Sequence, residues 1–228
     1  MIRECHAFSK RFLAYLAVLL LLLFVGLTGL VVAGATDRLD LRASRVAERP
    51  VTPRLTALLA GSSALAQPLV ASLALPVAAL LWRRRYRRAL LVAASALGSA
   101  ALNLALKAAL RQPPPGDGSN YSPDWRGSPL HILESISDNY GYPSGHVQAT
   151  VVALGLWLLC LWPLLPRAAR FALPIISLGF IAVLAYSRVY LGHHFATDVL
   201  GGALLGTAWL AGTLLIARRE GDTMKDTI

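Results

Sequence analysis

The chain has 228 residues, of which 56% are hydrophobic and 15% are charged, and its formal net charge is +10 at pH 7. An ordinary soluble domain is about 45–50% apolar and about 25% charged, and a disordered chain is poor in apolar residues. Arg11 and Asp37 are separated by 25 uncharged residues, and Arg54 and Arg83 by 28. A membrane-spanning helix needs about 20 such residues. The composition therefore excludes a disordered chain, argues against a single soluble globule and predicts an integral membrane protein.

Six apolar stretches are long enough to cross a bilayer, which predicts an all-α fold: a polytopic six-transmembrane-helix bundle. The fifth stretch is short, with 17 uncharged residues between Arg170 and Arg188. Pro68, Pro76 and Pro174 fall inside spans, where we expect kinks more than breaks, because neighbouring helices satisfy the freed backbone groups. The predicted spans are residues 12–33, 57–82, 89–110, 147–165, 171–186 and 195–217.

The first span has features of a signal peptide, because it follows a basic start and precedes the small residues Ala33, Gly34 and Ala35. Its apolar run is longer than the 7–15 residues typical of a signal peptide. We therefore expect a membrane span that is retained. Cys5 and Cys160 are too few for a disulfide framework, and no C-x-x-C motif indicates metal or redox chemistry.

The distribution of Lys and Arg predicts the orientation of the spans. The termini and the loops after the second and fourth spans together carry 13 of the 22 basic residues. The positive-inside rule places these segments in the cytoplasm. Loops 34–56 and 111–146 and the turn at 187–194 then face outside, in a multi-pass protein of the inner (plasma) membrane. The basic run 83–88 is interpreted as a membrane anchor, so no nucleic-acid partner is expected.

Two loops on the outer side carry further signals. In loop 34–56, the spacing of Leu39, Leu41 and Val46 indicates a short helix at the membrane interface, although a solvated connector fits equally well. Loop 111–146 is rich in turn-forming residues, and loops of this length in compact domains are often functional.

Polar residues lie at the outer ends of the third to sixth spans, although ionisable groups at membrane depth are costly and usually face an interior cavity. His194 and Asp198 are four residues apart, so they share one face of a helix. The carboxylate can accept the Nδ1–H of the imidazole and leave Nε2 as a base or nucleophile. The neighbouring His193 points elsewhere.

Two cations and a helix start complete this cluster. Ser144, Gly145 and His146 begin the fourth span, where exposed N–H groups favour an anion, although a plain helix cap is the alternative. Lys107 and Arg188 have no obvious acidic partner nearby in the sequence, and snorkelling is the alternative for Lys107. Cations, a helix N-terminus and histidines together indicate a phosphate site.

These residues resemble the motifs of the type 2 phosphatidic acid phosphatase superfamily, the lipid phosphate phosphatases. That family has the motifs Lys-x6-Arg-Pro, Pro-Ser-Gly-His and Ser-Arg-x5-His-x3-Asp. Residues 143–146 match the second motif completely and residues 187–198 match the third. The resemblance covers about residues 57–217, with the core motifs at about 103–202, and it implies a single membrane-embedded phosphatase domain over 1–228.

The first motif departs from the family pattern. Lys107 is in place, but Pro114 stands where the family has Arg. Arg111 replaces it if the helix continues for one more turn and keeps Arg111 on the Lys107 face. Alternatively, Arg126 folds in from the loop, or the site has one cation fewer.

The resemblance also implies roles for the site residues. His194 is the nucleophile that forms a phosphohistidine, Asp198 orients it, and His146 protonates the leaving oxygen and then activates water. Lys107 and Arg188 neutralise the phosphate oxygens, assisted by Ser144, Gly145, Ser187 and Arg111. With only 12 acidic residues in the chain, we expect no metal and no cofactor, although His193, His194 and Asp198 can also be interpreted as a metal site.

The implied substrate is a lipid phosphate in the bilayer: phosphatidic acid, phosphatidylglycerol phosphate or undecaprenyl diphosphate. Transfer of phosphate to another lipid is an alternative reaction. A non-catalytic lipid-binding protein and a small transporter are the alternatives outside enzymes. The sequence carries no signal for an oligomeric state.

Overall fold

The structure is a computed structural model that describes residues 9–47, 49, 52–115 and 140–223, with side chains described up to residue 218. Within these residues the chain forms eight α-helices, one 3₁₀ turn at Trp162–Leu164 and no strand. The helices are α1 (Lys10–Val32), α2 (Asp37–Ala47), α3 (Pro53–Ala71), α4 (Ala74–Trp82), α5 (Tyr86–Leu110), α6 (Gly145–Leu161), α7 (Arg167–Tyr190) and α8 (Ala196–Thr223).

Six segments of the described chain are long and apolar enough to cross a membrane, as predicted. The segments are Lys10–Val32, Pro53–Trp82, Tyr86–Leu110, Gly145–Leu164, Arg167–Tyr190 and Ala196–Arg218. The protein is therefore an all-α, multi-pass membrane protein with a six-transmembrane-helix bundle.

The second span is broken into two helices, whereas only kinks were expected at its prolines. The helix is interrupted between α3 and α4, at Ser72 and Leu73. Pro76 has no N–H to return to the Ser72 carbonyl, so the N–H of Leu75 donates to it instead, at 2.9 Å. The indole Nε1 of Trp157 in α6 donates to Ser72 Oγ at 2.9 Å, which ties the break to the bundle.

The fifth span is longer than its uncharged stretch suggests. Helix α7 has 24 residues, or about 36 Å at 1.5 Å per residue, and Pro174 does not interrupt it. The helix includes Arg167 and Arg170 in its first turn and Arg188 in its last turn. Because Arg188 turns into the bundle and is buried, its charge does not end the span.

The outer surface of the bundle is apolar, and buried polar side chains lie between its helices beside the buried apolar ones. Large side chains such as Leu22 and Ile175 are exposed on its outer surface. Asn103 of α5 and Gln148 of α6 are buried between helices, and Asn103 Nδ2 donates to Gln148 Oε1 at 2.7 Å. Gln148 Nε2 in turn donates to the carbonyl and hydroxyl oxygens of Ser99 at 3.0 and 2.9 Å. Such mutual satisfaction is what makes polar groups tolerable at this depth.

Helix α1 packs along α8 and holds the segment that precedes α6. Phe24 stacks on Tyr142 with ring centroids 6.0 Å apart. Because the Thr28 hydroxyl donates to the Phe24 carbonyl at 2.7 Å, the Tyr142 hydroxyl donates to Thr28 Oγ1 at 2.9 Å. Burial raises the pKa of Tyr142 to about 12, so this phenol keeps its proton.

The short helix predicted in loop 34–56 is present as α2. It lies at the same end of the bundle as the start of α6, the end of α7 and the start of α8. Ala47 belongs to one buried cluster with Val147, Val151, Val189 and Val199. The membrane-interface position of α2 stays a prediction.

Candidate active site

Lys107 lies in the last turn of α5 and is 1% exposed. Its Nζ donates to the carbonyl oxygen of Tyr140 at 2.6 Å. A snorkelling lysine would extend its amine towards water. Lys107 instead directs its charge towards the segment that leads into α6, which supports the interpretation as a site residue.

The start of α6 is buried against α8. Ser144 precedes the helix as its N-cap residue, and its N–H donates to the carbonyl of Asp198 at 2.9 Å. A Cβ at Gly202 of α8 would collide with the Ser144 carbonyl, so this approach requires glycine. Ser144 Oγ is buried and has no hydrogen-bond partner among the described residues. Its hydroxyl therefore remains available to a ligand, whereas a plain helix cap would use it on the backbone.

Arg188 lies in the last turn of α7 and is 6% exposed. Its guanidinium NH1 donates to Ser63 Oγ of α3 at 2.8 Å. This contact holds the guanidinium in the bundle interior from the side of the second span. Sequence reasoning missed Ser63, although a polar residue within an apolar span could have indicated a contact in the bundle interior.

His194 precedes α8 and Asp198 lies in its first turn. Nδ1 of His194 lies 3.4 Å from Oδ2 of Asp198, and both side chains are buried. Nδ1 has no closer hydrogen-bond partner among the described residues, and Oδ2 accepts the N–H of Phe195 at 2.9 Å. The predicted His–Asp pair is therefore formed, at a distance that is long for a hydrogen bond. Catalytic hydrogen bonds often tighten only in the substrate complex.

The ends of α5 and α7 and the starts of α6 and α8 bring their polar groups to the same end of the bundle as His194. The N–H of His194 donates to the carbonyl of Arg188 at 3.2 Å, and the N–H of Ser144 donates to the carbonyl of Asp198 at 2.9 Å, so these helix ends meet at one place. Burial lowers the pKa of His194 well below its ordinary value of 6.5, and the charges of Arg188, Lys107, His146 and His193 lower it further, in that order. The imidazole is consequently neutral near pH 7, as a nucleophile must be. His193 is also close enough to contribute, although its side chain is less buried than that of His194.

Ser187 and Arg111 are not placed as predicted. The Ser187 hydroxyl donates to the carbonyl of Leu59 in α3 at 2.7 Å, so its proton is used in helix packing. Helix α5 ends at Leu110, and Arg111 adopts a left-handed backbone conformation with φ of 50°. Its exposed guanidinium turns back to the Ala108 carbonyl at 3.1 Å. The expected extra turn is absent because the chain leaves the helix before the prolines, and the Lys107 face ends there. Arg126 lies outside the described residues.

Several residues that support the site were missed at the sequence level. Asn103 Nδ2 donates to the carbonyl of Pro143 at 3.3 Å, directly before Ser144. Asp40 of α2 accepts two hydrogen bonds from Thr197 of α8. Asn103 lies one helical turn before Lys107, and this spacing could have placed it on the same helix face as Lys107. Nothing near Asp40 in the sequence connects it to residue 197.

A comparison with known protein families covers the segment that carries these residues. The model of the PAP2 superfamily matches residues 88–222, which is more than half of the chain and includes all the site residues from Lys107 to Asp198. The chain belongs to the PAP2 superfamily.

Two solved structures have the same fold. A transmembrane PAP2-type phosphatidylglycerolphosphate phosphatase from Bacillus subtilis has a TM-score of 0.71 at 25% identity, over 91% of this chain and 97% of that chain. LpxE from Aquifex aeolicus has a TM-score of 0.54 at 19% identity, over 77% of this chain and 94% of that chain, which shows the fold alone.

A curated relative also matches part of the chain. This is an undecaprenyl-diphosphatase from Sulfolobus acidocaldarius, 36% identical over 84 residues. The match covers 37% of this chain and 36% of the relative, so the shared segment is about a third of either protein.

Proposed function

We propose that this PAP2 protein removes phosphate from a membrane lipid, a phosphate monoester or a diphosphate, through a phosphohistidine on His194. The observation that carries the proposal is the pairing of His194 Nδ1 with Asp198 Oδ2 at 3.4 Å, inside a cluster that also holds His146, Lys107 and Arg188. A phosphate dianion needs compensating cations, and its transfer needs a nucleophile in line with a leaving oxygen.

In the first step, Nε2 of His194 forms a bond to phosphorus while the bond from phosphorus to the lipid oxygen breaks. His146 gives its proton to the departing oxygen. The imidazole of His194 becomes positively charged, and the Asp198 carboxylate stabilises that charge through Nδ1–H. Lys107 and Arg188 neutralise the phosphoryl oxygens, and Ser144 Oγ and the N–H of Gly145 add hydrogen bonds.

In the second step, His146 takes a proton from water, and the water oxygen attacks phosphorus. The bond between phosphorus and Nε2 breaks, inorganic phosphate leaves, and His194 is neutral again. The same residue thus acts first as acid and then as base, which restores both histidines in one turnover.

We propose that this reaction needs no metal. The donor set supports this, because among the described residues the site groups cations and histidines with Asp198, and the other nearby carboxylate, Asp40, is hydrogen-bonded to Thr197. Metal-dependent phosphatases rely on several carboxylates that are available to the metal. Among the described residues, no three His, Cys, Asp or Glu side chains are grouped to share a metal ion.

The proposed substrates are phosphatidic acid, phosphatidylglycerol phosphate and undecaprenyl diphosphate. The similar Bacillus subtilis structure is a phosphatidylglycerolphosphate phosphatase, and the Sulfolobus acidocaldarius relative is an undecaprenyl-diphosphatase. The site residues of the helices lie at one end of the bundle, in the last turns of α5 and α7 and the first turns of α6 and α8. This supports a substrate that presents its headgroup at the membrane surface while its chains stay in the bilayer.

The test is phosphate release from these three lipids by purified protein in detergent, with and without a chelator. We expect activity on at least one lipid, unchanged by the chelator. Loss of activity that returns with added metal would contradict the metal-free mechanism. A phosphorylated lipid product in place of free phosphate would show transfer to a second lipid.

The nucleophile is tested with His194→Ala, which we expect to lower turnover by about 10³-fold or more. His193→Ala is the matched control, since it removes the adjacent imidazole and should be much milder. Rapid quenching with ³²P-labelled substrate should trap an acid-labile phosphohistidine in the parent protein and none in His194→Ala. Absence of any trapped species and of any turnover on all lipids would favour a non-catalytic lipid-binding protein or a transporter.

A further inference from the structure

Asp40 is a buried carboxylate far from the family motifs in sequence. It lies in α2, between the first and second spans, and is only 3% exposed. The match to the PAP2 model begins at residue 88, so Asp40 is outside the matched segment. Burying a carboxylate is costly unless it is hydrogen-bonded, so its partners show what it does.

Both oxygens of Asp40 are used by one residue, Thr197 in the first turn of α8. Oδ1 accepts the N–H of Thr197 at 3.0 Å, and Oδ2 accepts its hydroxyl at 2.7 Å. The first four N–H groups of a helix have no acceptor within that helix, and a carboxylate is favourable at this positive end. Asp40 therefore caps α8 from another helix, across 157 positions of the chain.

The turn that Asp40 holds is the one that carries the catalytic carboxylate. Asp198 follows Thr197 directly, and its Oδ2 faces His194 Nδ1 at 3.4 Å. The carbonyl of Asp198 accepts the N–H of Ser144 at 2.9 Å, which joins α8 to the start of α6. A shift of the Thr197 backbone would therefore move Asp198 relative to both His194 and Ser144.

The other end of α2 contacts the same part of the bundle. Ala47 packs in one buried cluster with Val147, Val189 and Val199, each of which follows a site residue in the chain. The Tyr186 hydroxyl donates to the Ala47 carbonyl at 3.3 Å. With Asp40 at its start and Ala47 at its end, α2 is anchored across the ends of α6, α7 and α8.

We propose that Asp40 is a positioning residue for the phosphatase reaction, because its carboxylate fixes the first turn of α8 and so the geometry of Asp198 against His194. This inference rests on the proposed function. A cap that only stabilised the fold would lower the amount of folded protein and leave the activity of each folded molecule unchanged.

The experiment compares Asp40→Ala, Asp40→Asn and the control Asp37→Asn in the full-length protein. Asp37 is the matched control, because it is an acidic residue on the same helix whose side chain is exposed. Turnover and KM are measured on the best lipid substrate and normalised to monodisperse protein. Amide hydrogen exchange is followed in a peptide that contains residues 195–201, because this readout does not depend on activity.

We expect Asp40→Ala to lower kcat by about 10- to 100-fold with KM changed by less than about threefold, since small misplacements of catalytic groups have effects of this size. The amide of Thr197 should exchange about tenfold faster. Asp40→Asn should recover most of kcat, because its Oδ1 still accepts the Thr197 N–H and its amide donates to Oγ1. Asp37→Asn should match the parent protein in both measurements.

Equal kcat in Asp40→Ala and Asp37→Asn would overturn the proposal, as would a loss in Asp40→Asn as large as that in Asp40→Ala. If Asp40→Ala does not fold, Thr197→Val is measured instead, because it removes the hydroxyl and keeps the N–H. A drop in kcat of about threefold or more then supports the positioning role, and an unchanged kcat overturns it. If the parent protein and Asp37→Asn release no phosphate from any lipid, the proposed function has failed. The exchange measurement then still tests whether Asp40 caps α8.

Discussion

Ser144 and Ser187 are both fully buried and both lie beside site residues, yet their hydroxyls have different surroundings. Ser187 Oγ donates to the Leu59 carbonyl, whereas Ser144 Oγ has no hydrogen-bond partner within the described part of the chain. A hydroxyl that already donates to the protein cannot donate the same proton to a phosphate oxygen. At the scale of single residues, the hydrogen-bond partners thus distinguish a serine whose hydroxyl is available to a ligand from one whose hydroxyl already contacts a neighbouring helix.

The first prediction follows from this difference. Ser144→Ala should lower kcat/KM by about 10- to 100-fold, because it removes a donor to the charged phosphoryl group, and should leave the thermal midpoint nearly unchanged. Ser187→Ala should destabilise the protein by about 0.5–1.5 kcal/mol through the lost interhelical hydrogen bond and leave kcat/KM within about threefold. Phosphate release and thermal unfolding in detergent test both variants. The reverse pattern would assign phosphate binding to Ser187.

The second prediction concerns pH. A protonated His194 has no lone pair on Nε2, and burial together with Arg188 and Lys107 lowers its pKa well below 6.5. A lowered pKa keeps the imidazole neutral to more acidic pH, so the acid limb of kcat/KM should lie below pH 6.5. Lys107→Met removes one of the charges that lower this pKa. The acid limb of its residual kcat/KM should therefore lie at a higher pH than the acid limb of the parent. A parent limb at or above pH 6.5, or no movement in Lys107→Met, would refute this assignment.

At the scale of the elements, close packing of α6 against α8 sets the distance between the two motif segments of the site. Gly202 and Gly206 let α8 approach the backbone of α6 near Ser144 and Gln148. The backbone hydrogen bond from Ser144 to Asp198 is possible only at this separation. Small residues at helix interfaces commonly permit such contacts in membranes.

The third prediction compares two glycines of α8. Gly202→Ala places a methyl group against the Ser144 carbonyl, so it should destabilise the protein by about 1–3 kcal/mol or more and strongly reduce turnover. Gly212→Ala is the matched control, because its Cβ meets nothing within 4 Å and alanine favours helix by up to about 1 kcal/mol. Thermal midpoints and phosphate release measure both effects. Tolerance of Gly202→Ala would show that the α6–α8 contact is looser than described.

At the scale of the whole molecule, the alternation of six spans brings α2 and the ends of α5 to α8 to one end of the bundle. We propose that this end faces away from the cytoplasm and that both termini are cytoplasmic, in an inner (plasma) membrane. The support is the excess of basic residues on the opposite side, 13 of 22. A single catalytic domain over residues 1–228 also stays a prediction, and the contribution of α1 and α2 to the site region supports it.

The fourth prediction tests this orientation by cysteine labelling in a background with Cys5→Ser and Cys160→Ala. Arg49→Cys lies on the active-site side of the bundle and Arg83→Cys at the opposite side. A membrane-impermeant maleimide applied to intact spheroplasts should label Arg49→Cys and leave Arg83→Cys unlabelled until the membrane is opened. The opposite labelling would place the active site in the cytoplasm.

The sequence by itself determined the six spans, the His194–Asp198 pair and the two complete motifs. These features are local, because a span is a run of apolar residues and a motif is a fixed spacing. The expectation that His194 and Asp198 share a helix face is wrong, since His194 precedes α8, and the pair forms because Asp198 in the first turn lies next to the segment before the helix. Loop 34–56 does contain the short helix that was one of its two interpretations, but Leu39, Leu41 and Val46 are exposed and the buried face of α2 is formed by Asp40, Ser44 and Ala47.

Only the tertiary structure decided which polar groups meet. Helix α5 ends at Leu110, which directs the Arg111 side chain away from Lys107. The Leu59 carbonyl accepts a hydrogen bond from the Ser187 hydroxyl. Asp40 reaches Thr197 because α2 folds across the ends of distant helices. A buried polar group must find a partner, and in a helical bundle that partner belongs to whichever helix packs beside it, a choice made by long-range packing that no local pattern encodes.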